Sequence, residues 1–351
     1  MRVRLAVRRA LDGLTDTAGE SPLLLVGLSG GADSLALAAA LAAEAPRLAV
    51  RAGALVIDHG LQPGSARTAE RAADAARNLG LDPVVVRSVE VGSVGGPESA
   101  ARDARYAAFA EIAREYGAFA ILTAHTRDDQ AEQVLLALAR GSGTRSIAGI
   151  PAIRHLEGGV LLVRPLLGAD PEVGRMTTVA ACRELGLSVW DDPHNTDRAY
   201  ARVRVREVLL PVLVEELGRG VRAGLARSAD LAREDAEALD AWAATVAAEL
   251  THAADSAAGA RDDTQPDAAP LTLDDSGIAR LAELPAAVRQ RVIHRIAAGR
   301  YESSLSREHT LTIASLITNW RGQGPVFVPG IRVTRTRNQL TFARQDGSPR
   351  A

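Results

Sequence analysis

The first two hundred residues alternate short apolar runs with longer amphipathic stretches. The apolar runs have the length and aliphatic composition of buried strands, and they cover residues 23–28, 54–57, 83–89, 118–124 and 160–163. The stretches between them repeat apolar positions with the period of a helix, at residues 34–45, 66–79, 98–116, 128–139 and about 171–185. This alternation is typical of parallel βαβ units. We therefore predict an α/β fold with a doubly wound, mostly parallel sheet that binds ligands at the carboxyl ends of its strands.

The pattern changes near residue 200, where long helical stretches replace the alternation. Helices are predicted at residues 201–216, 220–250, 284–298 and 306–320. Residues 251–270 are small, polar and contain proline, which predicts a mobile loop, and alternation over 326–342 predicts one β-hairpin. We therefore predict a catalytic domain over residues 1–200, a helical connector over 201–250 and a smaller, mainly helical domain over 251–351.

The absence of lysine and the presence of only one cysteine exclude several kinds of chemistry. The 351 residues carry a formal charge of -2, and all 41 basic residues are arginine. A chain without lysine has no Walker A lysine, no lysine Schiff base and no ligase intermediate on a lysine amine. The single cysteine, Cys182, excludes an internal disulfide, a cysteine-rich zinc site and a two-cysteine sulfur transfer. Its helical surroundings predict a buried packing role.

No apolar run reaches the roughly 18 to 20 residues that a transmembrane helix needs. The arginine-rich residues 1–14 space their apolar positions for one helix face and lack the serine enrichment of a transit peptide. We therefore expect a cytoplasmic protein with no membrane partner.

The strongest chemical signal is the segment in which the first strand runs into a glycine pair and then a helix. Its sequence is SGGADS, residues Ser29, Gly30, Gly31, Ala32, Asp33 and Ser34. Glycines let the backbone turn sharply, and the N-terminus of the new helix favours negative charge, so the segment is suited to cradle phosphates. The Asp33 carboxylate is suited to hold a Mg²⁺ ion that bridges phosphate oxygens. The alternative is an ordinary turn in which Asp33 or Ser34 caps the helix.

This hexapeptide resembles the SGGxDS loop of the ATP pyrophosphatases, which adenylate a carbonyl or carboxyl oxygen and release pyrophosphate. Further segments are similar, in the same order, to signatures of one branch, the tRNA(Ile)-lysidine synthases. They are VIDHGL at 56–61, RDARY at 102–106, HTRDDQAEQ at 125–133, RGSG at 140–143, RPLL at 164–167, DPHNTD at 192–197 and YARVRVR at 200–206. Two positions depart from that pattern, because Gln133 replaces a threonine and Val203 an asparagine.

The resemblance implies a reaction and its partners. ATP, with Mg²⁺, adenylates the base carbonyl of the first anticodon cytidine in the isoleucine tRNA that carries a CAU anticodon. Free L-lysine then attacks that carbon and displaces AMP, which yields lysidine. Members of the family are often dimers, so a homodimer is expected from the resemblance alone.

The chemistry of the residues and the resemblance together assign roles to individual positions. The catalytic candidates are Asp33, His125, Asp129 and Arg105, and Asp33 and Asp129 are also the metal candidates. The candidates for nucleotide binding are Ser29, Gly30, Gly31, Ala32, Asp33, Ser34, Asp58, His59, Arg140 and Gly143. The candidates for tRNA binding are Arg102, Arg105, Arg164, Arg202, Arg204, Arg206, Arg335 and Arg337. Of these, Arg335 and Arg337 are predicted to alternate on one strand face and to follow phosphates.

Each assignment has a structural alternative. Acidic residues at 128, 129 and 132 complement the dipole of a helix start, and paired arginines are usual on solvated helix faces. Charge on an exposed strand also protects it from edge pairing. Two other functions remain open: a small-molecule amide or amidine synthetase of the same superfamily, and a nucleotide- or RNA-binding module without catalysis.

Overall fold

The computed structural model describes residues 1–14, 19–60, 64–92, 97–141, 143–190, 192, 196–257 and 269–345. The chain divides into two compact units, Met1–Arg233 and Glu234–Ala351. Residues 258–268 of the loop predicted over 251–270, and residues 193–195 of the segment at 192–197, lie outside the described residues.

The described part of the first unit contains six strands and most of the helices. The strands are β1 (Leu23–Gly27), β2 (Arg51–Asp58), β3 (Val84–Ser88), β4 (Ala118–Leu122), β5 (Ile153–His155) and β6 (Leu161–Val163). The helices are α1 (Arg2–Leu11), α2 (Ala32–Leu48), α3 (Ser65–Asn78), α4 (Pro97–Tyr116), α5 (Arg127–Ala139), α6 (Thr144–Ile147), α7 (Arg175–Glu184), α8 (Ala201–Arg204) and α9 (Leu210–Leu217). A π-helical turn, Val205–Leu209, joins the last two, and α10 (Val221–Ala257) follows.

The strands form one sheet in the order β3-β2-β1-β4-β6-β5. All neighbouring pairs are parallel except β5 and β6, so the predicted mostly parallel sheet is confirmed. The sequence analysis did not predict β5, because this edge strand has only three residues and two of them are exposed. The strand order reverses between β1 and β4, and such a reversal opens a ligand crevice at the carboxyl ends of the strands.

The core of the first unit lies on both faces of the sheet. Leu24 and Val26 of β1 pack into one buried cluster, while Leu23 and Leu25 pack into the other, as the two-residue period of a strand requires. Cys182 is buried in the first cluster, and its thiol donates to the Ala32 carbonyl, so the predicted packing role is confirmed.

The second unit contains helices packed on a small antiparallel sheet. It comprises β7 (Leu271–Leu273), α11 (Asp275–Glu283), α12 (Ala286–Tyr301), α13 (Arg307–Thr318), β8 (Val326–Val328), β9 (Ile331–Arg335) and β10 (Leu340–Arg344). The strand order is β7-β10-β9-β8, so the prediction of a single hairpin was incomplete. Strand β7 was missed because only three residues form it, and their pairing with β10 is not local in sequence.

Helix α10 also differs from the prediction. It continues to Ala257, so residues 251–257 are helical and do not belong to a loop. No helix in the described part of the chain is long and apolar enough to cross a membrane.

A buried carboxylate between α1 and α2 gives a first testable prediction. Glu44 is fully buried and accepts hydrogen bonds from Arg4 at 2.6 Å and Arg8 at 2.9 Å. Burial raises the pKa of Glu44, but the hydrogen bonds and charges of the two arginines outweigh it and hold the pKa below its usual 4.5. A carboxylate with a depressed pKa stabilises the folded state above its unfolded pKa, and this contribution is lost as pH falls through the folded pKa.

We expect Glu44→Gln to lower the free energy of unfolding at pH 7 by about 1 to 3 kcal/mol. The difference from the wild type should shrink as pH falls below 4.5. Urea unfolding over a pH series measures it. Glu70→Gln is the control, because Glu70 pairs with Arg77 at an exposed position and should change stability by less than about 1 kcal/mol. A deficit for Glu44→Gln that is independent of pH would contradict the prediction.

Candidate active site

The segment after β1 has the geometry of a phosphate cradle. Gly30 has a φ of 83°, a left-handed conformation that favours glycine, and Gly31 is the N-cap of α2. The Ser34 hydroxyl accepts a hydrogen bond from the Ser29 backbone N–H at 3.2 Å and donates to the Gly31 carbonyl at 2.9 Å, which closes the loop. Among the described residues, no side chain caps the N-terminus of α2. Because the first N–H groups of a helix lack intrahelical acceptors, Ala32 and its neighbours can donate to an anion.

Asp33 is held by two residues of α7. The Thr178 hydroxyl donates to one carboxylate oxygen, and Arg175 Nε lies 3.7 Å from the other. Burial raises the pKa of Asp33; the Thr178 hydrogen bond lowers it, Asp129 and Asp128 raise it, and Arg175 lowers it, with a net increase. The desolvated carboxylate therefore lies in an environment that a cation would stabilise.

The acidic residues that begin α5 lie at the same edge of the sheet. Asp129 accepts from the Thr126 backbone N–H at 2.8 Å and so caps its own helix. Asp128 accepts from the Arg175 backbone N–H at 2.7 Å, at the first residue of α7, and from Arg222 at 3.0 Å. The two carboxylates therefore stabilise the starts of α5 and α7, which is the structural alternative given for them in the sequence analysis. Both also face the charges of neighbouring arginines.

Glu132 is the centre of an ion-pair network. It is fully buried, and Arg202 and Arg206 donate to it from 3.0 and 2.8 Å. Arg175 lies 3.6 Å from Glu132 and 3.4 Å from Asp129. We call Asp33, Asp129, Glu132, Arg175, Arg202 and Arg206 the ion-pair network. Arg175 contacts three of its carboxylates, but each at a longer distance than the closest contacts of Arg202 and Arg206.

The predicted metal candidates face the same guanidinium, and their role as metal ligands stays a prediction. In the described part of the chain, no group of three or more histidine, cysteine or acidic side chains is arranged to hold a metal. Asp33 and Asp129 do face one cation, the Arg175 guanidinium. Mg²⁺ is commonly bound by one or two carboxylates together with substrate phosphates, and this pair offers such a donor set.

Two histidines line the same edge. His125 follows β4, and its Nδ1 lies 3.3 Å from the Thr123 hydroxyl. Burial lowers the pKa of His125, and Arg164, Arg202 and Arg105 lower it further against the opposing charge of Asp129. His125 is therefore neutral at pH 7 and is suited to hydrogen bonding rather than to carrying charge.

His59 follows β2 and is half-buried. Burial and Arg105 lower its pKa, while Asp58 raises it. Its Nδ1 atom is buried and has no hydrogen-bond partner among the described residues. Asp58 is buried, and its carboxylate accepts from the Gly60 backbone N–H at 3.0 Å, so it shapes the turn after β2.

The structure does not group all the predicted nucleotide-binding residues. Arg140 and Gly143 lie at the far end of α5, whose 13 residues extend about 20 Å from the end that carries Asp129. Both are exposed, and Gly143 is the N-cap of α6. Their role in nucleotide binding stays a prediction.

Several predicted tRNA-binding arginines already have partners. Arg202 and Arg206 belong to the ion-pair network, and exposed Arg204 donates to the carbonyls of Arg198 and Ala199 at 2.8 and 2.7 Å. Arg164 is 2% exposed and donates to the Pro151 carbonyl at 2.6 Å. These contacts favour a structural contribution beside any contact with RNA.

The predicted arrangement of Arg335 and Arg337 is wrong. Strand β9 ends at Arg335, and Arg337 lies exposed in the turn that leads to β10. Arg335 shares a strand face with buried Ile331 and Val333, stacks on Trp320 and donates to the Leu316 carbonyl at 2.6 Å. Its guanidinium therefore binds the last carbonyls of α13, where a positive charge complements the helix dipole.

The two departures from the family pattern have different surroundings. Val203 is buried, at 6% exposure, between the paired Arg202 and Arg206 of the network, whereas Gln133 is half-buried on α5. A buried apolar side chain suits the position of Val203, so the substitution costs no unsatisfied polar group.

Sequence reasoning missed Arg175 and Thr178. The hydrogen bond between Thr178 and Asp33 spans 145 positions, and neither α7 residue lies in a segment that resembles a family signature. Only their place in a predicted helix after the fifth strand hinted at a position near the phosphate loop. Only the tertiary structure shows that both residues contact Asp33.

Two protein families match segments of this chain. Residues 4–213 match the family described as PP-loop domain, and residues 277–341 match the family described as TilS substrate binding domain. A tRNA(Ile)-lysidine synthase from Leifsonia xyli is 52% identical over 91% of this chain and 89% of that protein. The enzyme of the same name from Streptomyces coelicolor is 49% identical over 93% of this chain and 86% of that protein.

Among solved structures, U34-tRNA thiolase NcsA from Methanococcus maripaludis is similar to this chain. The TM-score is 0.53 at 18% identity, over 66% of this chain and 78% of that one. At such low identity the likeness concerns the fold alone.

Proposed function

The chain belongs to the tRNA(Ile)-lysidine synthase family and is an ATP-using ligase, and from this premise we propose its substrates and the roles of its residues. The acceptor is the first anticodon cytidine of isoleucine tRNA with a CAU anticodon. ATP adenylates the base carbonyl oxygen of this cytidine and releases pyrophosphate. The amine of free L-lysine then attacks the activated carbon, and AMP leaves with the oxygen.

One juxtaposition carries the proposal. The phosphate loop after β1 and the segment that contains His125 and Asp129 after β4 meet at the point where the strand order reverses, and Arg175 contacts both Asp33 and Asp129. This arrangement suits a nucleotide whose phosphates lie on the loop and whose α-phosphate faces the second segment.

In this reaction the loop N–H groups and the start of α2 bind phosphate oxygens, and Arg175 offsets charge on the departing pyrophosphate. Mg²⁺, when bound by Asp33 and Asp129, supplies further charge stabilisation. Neutral His125 orients the base or the incoming amine by hydrogen bonding. The crevice brings the base and the amine together, which lowers the entropic cost of the second step.

We assign tRNA binding outside the active site to the C-terminal part of the chain, residues 251–351, which includes the substrate-binding match at 277–341. Discrimination between tRNAs requires contacts beyond one base, because a single pocket reads only the local cytidine. The homodimer that the resemblance implies is tested by measuring the solution mass of the purified chain.

The test is an incorporation assay with labelled lysine, ATP and Mg²⁺. We expect lysine incorporation into isoleucine tRNA with a CAU anticodon and at least about 100-fold less into methionine tRNA, because contacts outside the active site that match polar groups of one tRNA reject a tRNA lacking them. Isoleucine tRNA with a UAU anticodon is the second control. Pyrophosphate release with a small acceptor and no incorporation with any tRNA would instead support a small-molecule synthetase.

A further inference from the structure

Four arginines converge on one tyrosine of α4, outside the ion-pair network. The guanidinium carbons of Arg102, Arg105 and Arg154 lie 5.6, 5.5 and 4.3 Å from the centre of the Tyr106 ring. Arg164 lies 3.4 Å from the Tyr106 hydroxyl oxygen and donates to it. We call Arg102, Arg105, Arg154 and Arg164 the tyrosine-centred cluster. Its members come from α4, from β5 and from the residue after β6.

The tyrosine-centred cluster has no acidic counterpart. Among the residues that the structure describes, no carboxylate lies within ion-pair distance of any of its four guanidiniums. The Nε atoms of Arg154 and Arg164 are buried and have no hydrogen-bond partner in the same residues. By contrast, Arg175, Arg202 and Arg206 in the ion-pair network each contact two or more carboxylates.

The positive charge of the tyrosine-centred cluster shifts the pKa values of its own members and of Tyr106. Burial lowers the pKa of Arg105 and of Arg164, and neighbouring arginines lower both further. Burial raises the pKa of Tyr106, but the charges of Arg102, Arg164 and Arg105 bring it down to about 8. Like charges held together away from water oppose folding unless an anion binds among them.

The tyrosine-centred cluster borders the reaction site. Arg164 follows Val163 at the end of β6, and Val163 pairs with Leu122 at the end of β4, so Arg164 lies at the strand edge that carries His125. Arg105 also lowers the pKa of His59, and Arg164 and Arg105 lower that of His125. The phosphate loop lies after β1, so the ATP phosphates already have a separate cradle. An anion at the tyrosine-centred cluster would then belong to a different substrate.

We propose that the tyrosine-centred cluster binds a substrate oxyanion, either the α-carboxylate of free lysine or a phosphate of the tRNA. The proposal rests on the proposed function, because it takes the two substrates from there. The guanidinium fork matches carboxylate and phosphate oxygens in the same bidentate geometry, so both sources share one recognition chemistry. The Tyr106 ring holds the forks in place by cation–π contact.

The experiment compares Arg154→Gln and Arg105→Gln with Arg114→Gln, whose residue is exposed on the same helix α4 as Arg105. Calorimetry measures binding of lysine and of 1,5-diaminopentane, which keeps the amine but lacks the carboxylate. Filter binding measures tRNA affinity against salt concentration. Arg154→Lys retains the charge without the fork, and urea unfolding checks that each variant folds.

If the site takes the lysine carboxylate, the wild type should bind lysine about 10- to 100-fold more tightly than the diamine, and both glutamine variants should remove this preference. If it takes a tRNA phosphate, the same variants should weaken tRNA binding and reduce the logarithmic salt slope by about 1. Arg154→Lys should lie between the wild type and Arg154→Gln, and Arg114→Gln should match the wild type.

Folded glutamine variants that keep both the lysine preference and the tRNA affinity would overturn the proposal. The binding measurements do not depend on turnover. They therefore remain informative if the incorporation assay shows no lysidine, and failure of the proposed function is distinguishable from failure of the oxyanion site.

Discussion

Asp33→Asn should reduce pyrophosphate release by at least about 100-fold, while tRNA affinity stays close to that of the wild type. Asparagine keeps the shape of the side chain and an oxygen that accepts from the Thr178 hydroxyl. It removes the charge that faces Arg175 and, in the proposed function, Mg²⁺. The loss therefore reports on electrostatics at the phosphate loop, and the loop conformation is preserved.

The measurement is single-turnover pyrophosphate release with saturating tRNA. Asp170→Asn is the matched control, because Asp170 pairs with Arg9 and is 79% exposed. A rate for Asp33→Asn within about twofold of the wild type would remove Asp33 from the mechanism. Because the pKa of Asp33 is raised, we also expect the wild-type rate to fall on the acid side at a higher pH than an ordinary aspartate would give.

Glu132→Ala should destabilise the first unit by about 3 kcal/mol and lower its melting temperature by about 6 to 12 °C. Glu132 is fully buried, whereas Arg202 and Arg206 are 21% and 18% exposed. Its removal leaves these guanidiniums and Arg175 with Asp129 as their main remaining carboxylate. Uncompensated positive charge then stays in a poorly hydrated region.

Calorimetric melting of the full chain measures this effect. Glu115→Ala is the control, because Glu115 is 53% exposed in its pair with Arg87, and it should cost less than about 1 kcal/mol. Glu132→Gln should lie between the two, since it keeps hydrogen-bond acceptors but loses the charge. If Glu132→Ala were as mild as Glu115→Ala, the ion-pair network would not contribute to stability.

The central elements were predictable because their signals are local. The strands β1 to β4 and the helices between them follow from apolar periodicity, and the phosphate loop follows from glycines between a strand and a helix. Those signals fail for β5 and β7, since three-residue strands depend on distant pairing partners. They also fail for Arg335, because strand alternation says which positions share a face but does not show which face lies against α13.

The sequence by itself determined the parallel sheet, the phosphate loop and the candidate residues at the strand ends. Each of these depends on residues that are close in the chain. Only the tertiary structure decided which arginines are neutralised and which are not. The three carboxylates of the ion-pair network, including Asp33, neutralise its three arginines, whereas the four arginines around Tyr106 have no carboxylate partner in the described residues. Charge pairing depends on distances in space between residues that are as many as 161 positions apart in the chain, and no local pattern encodes those distances.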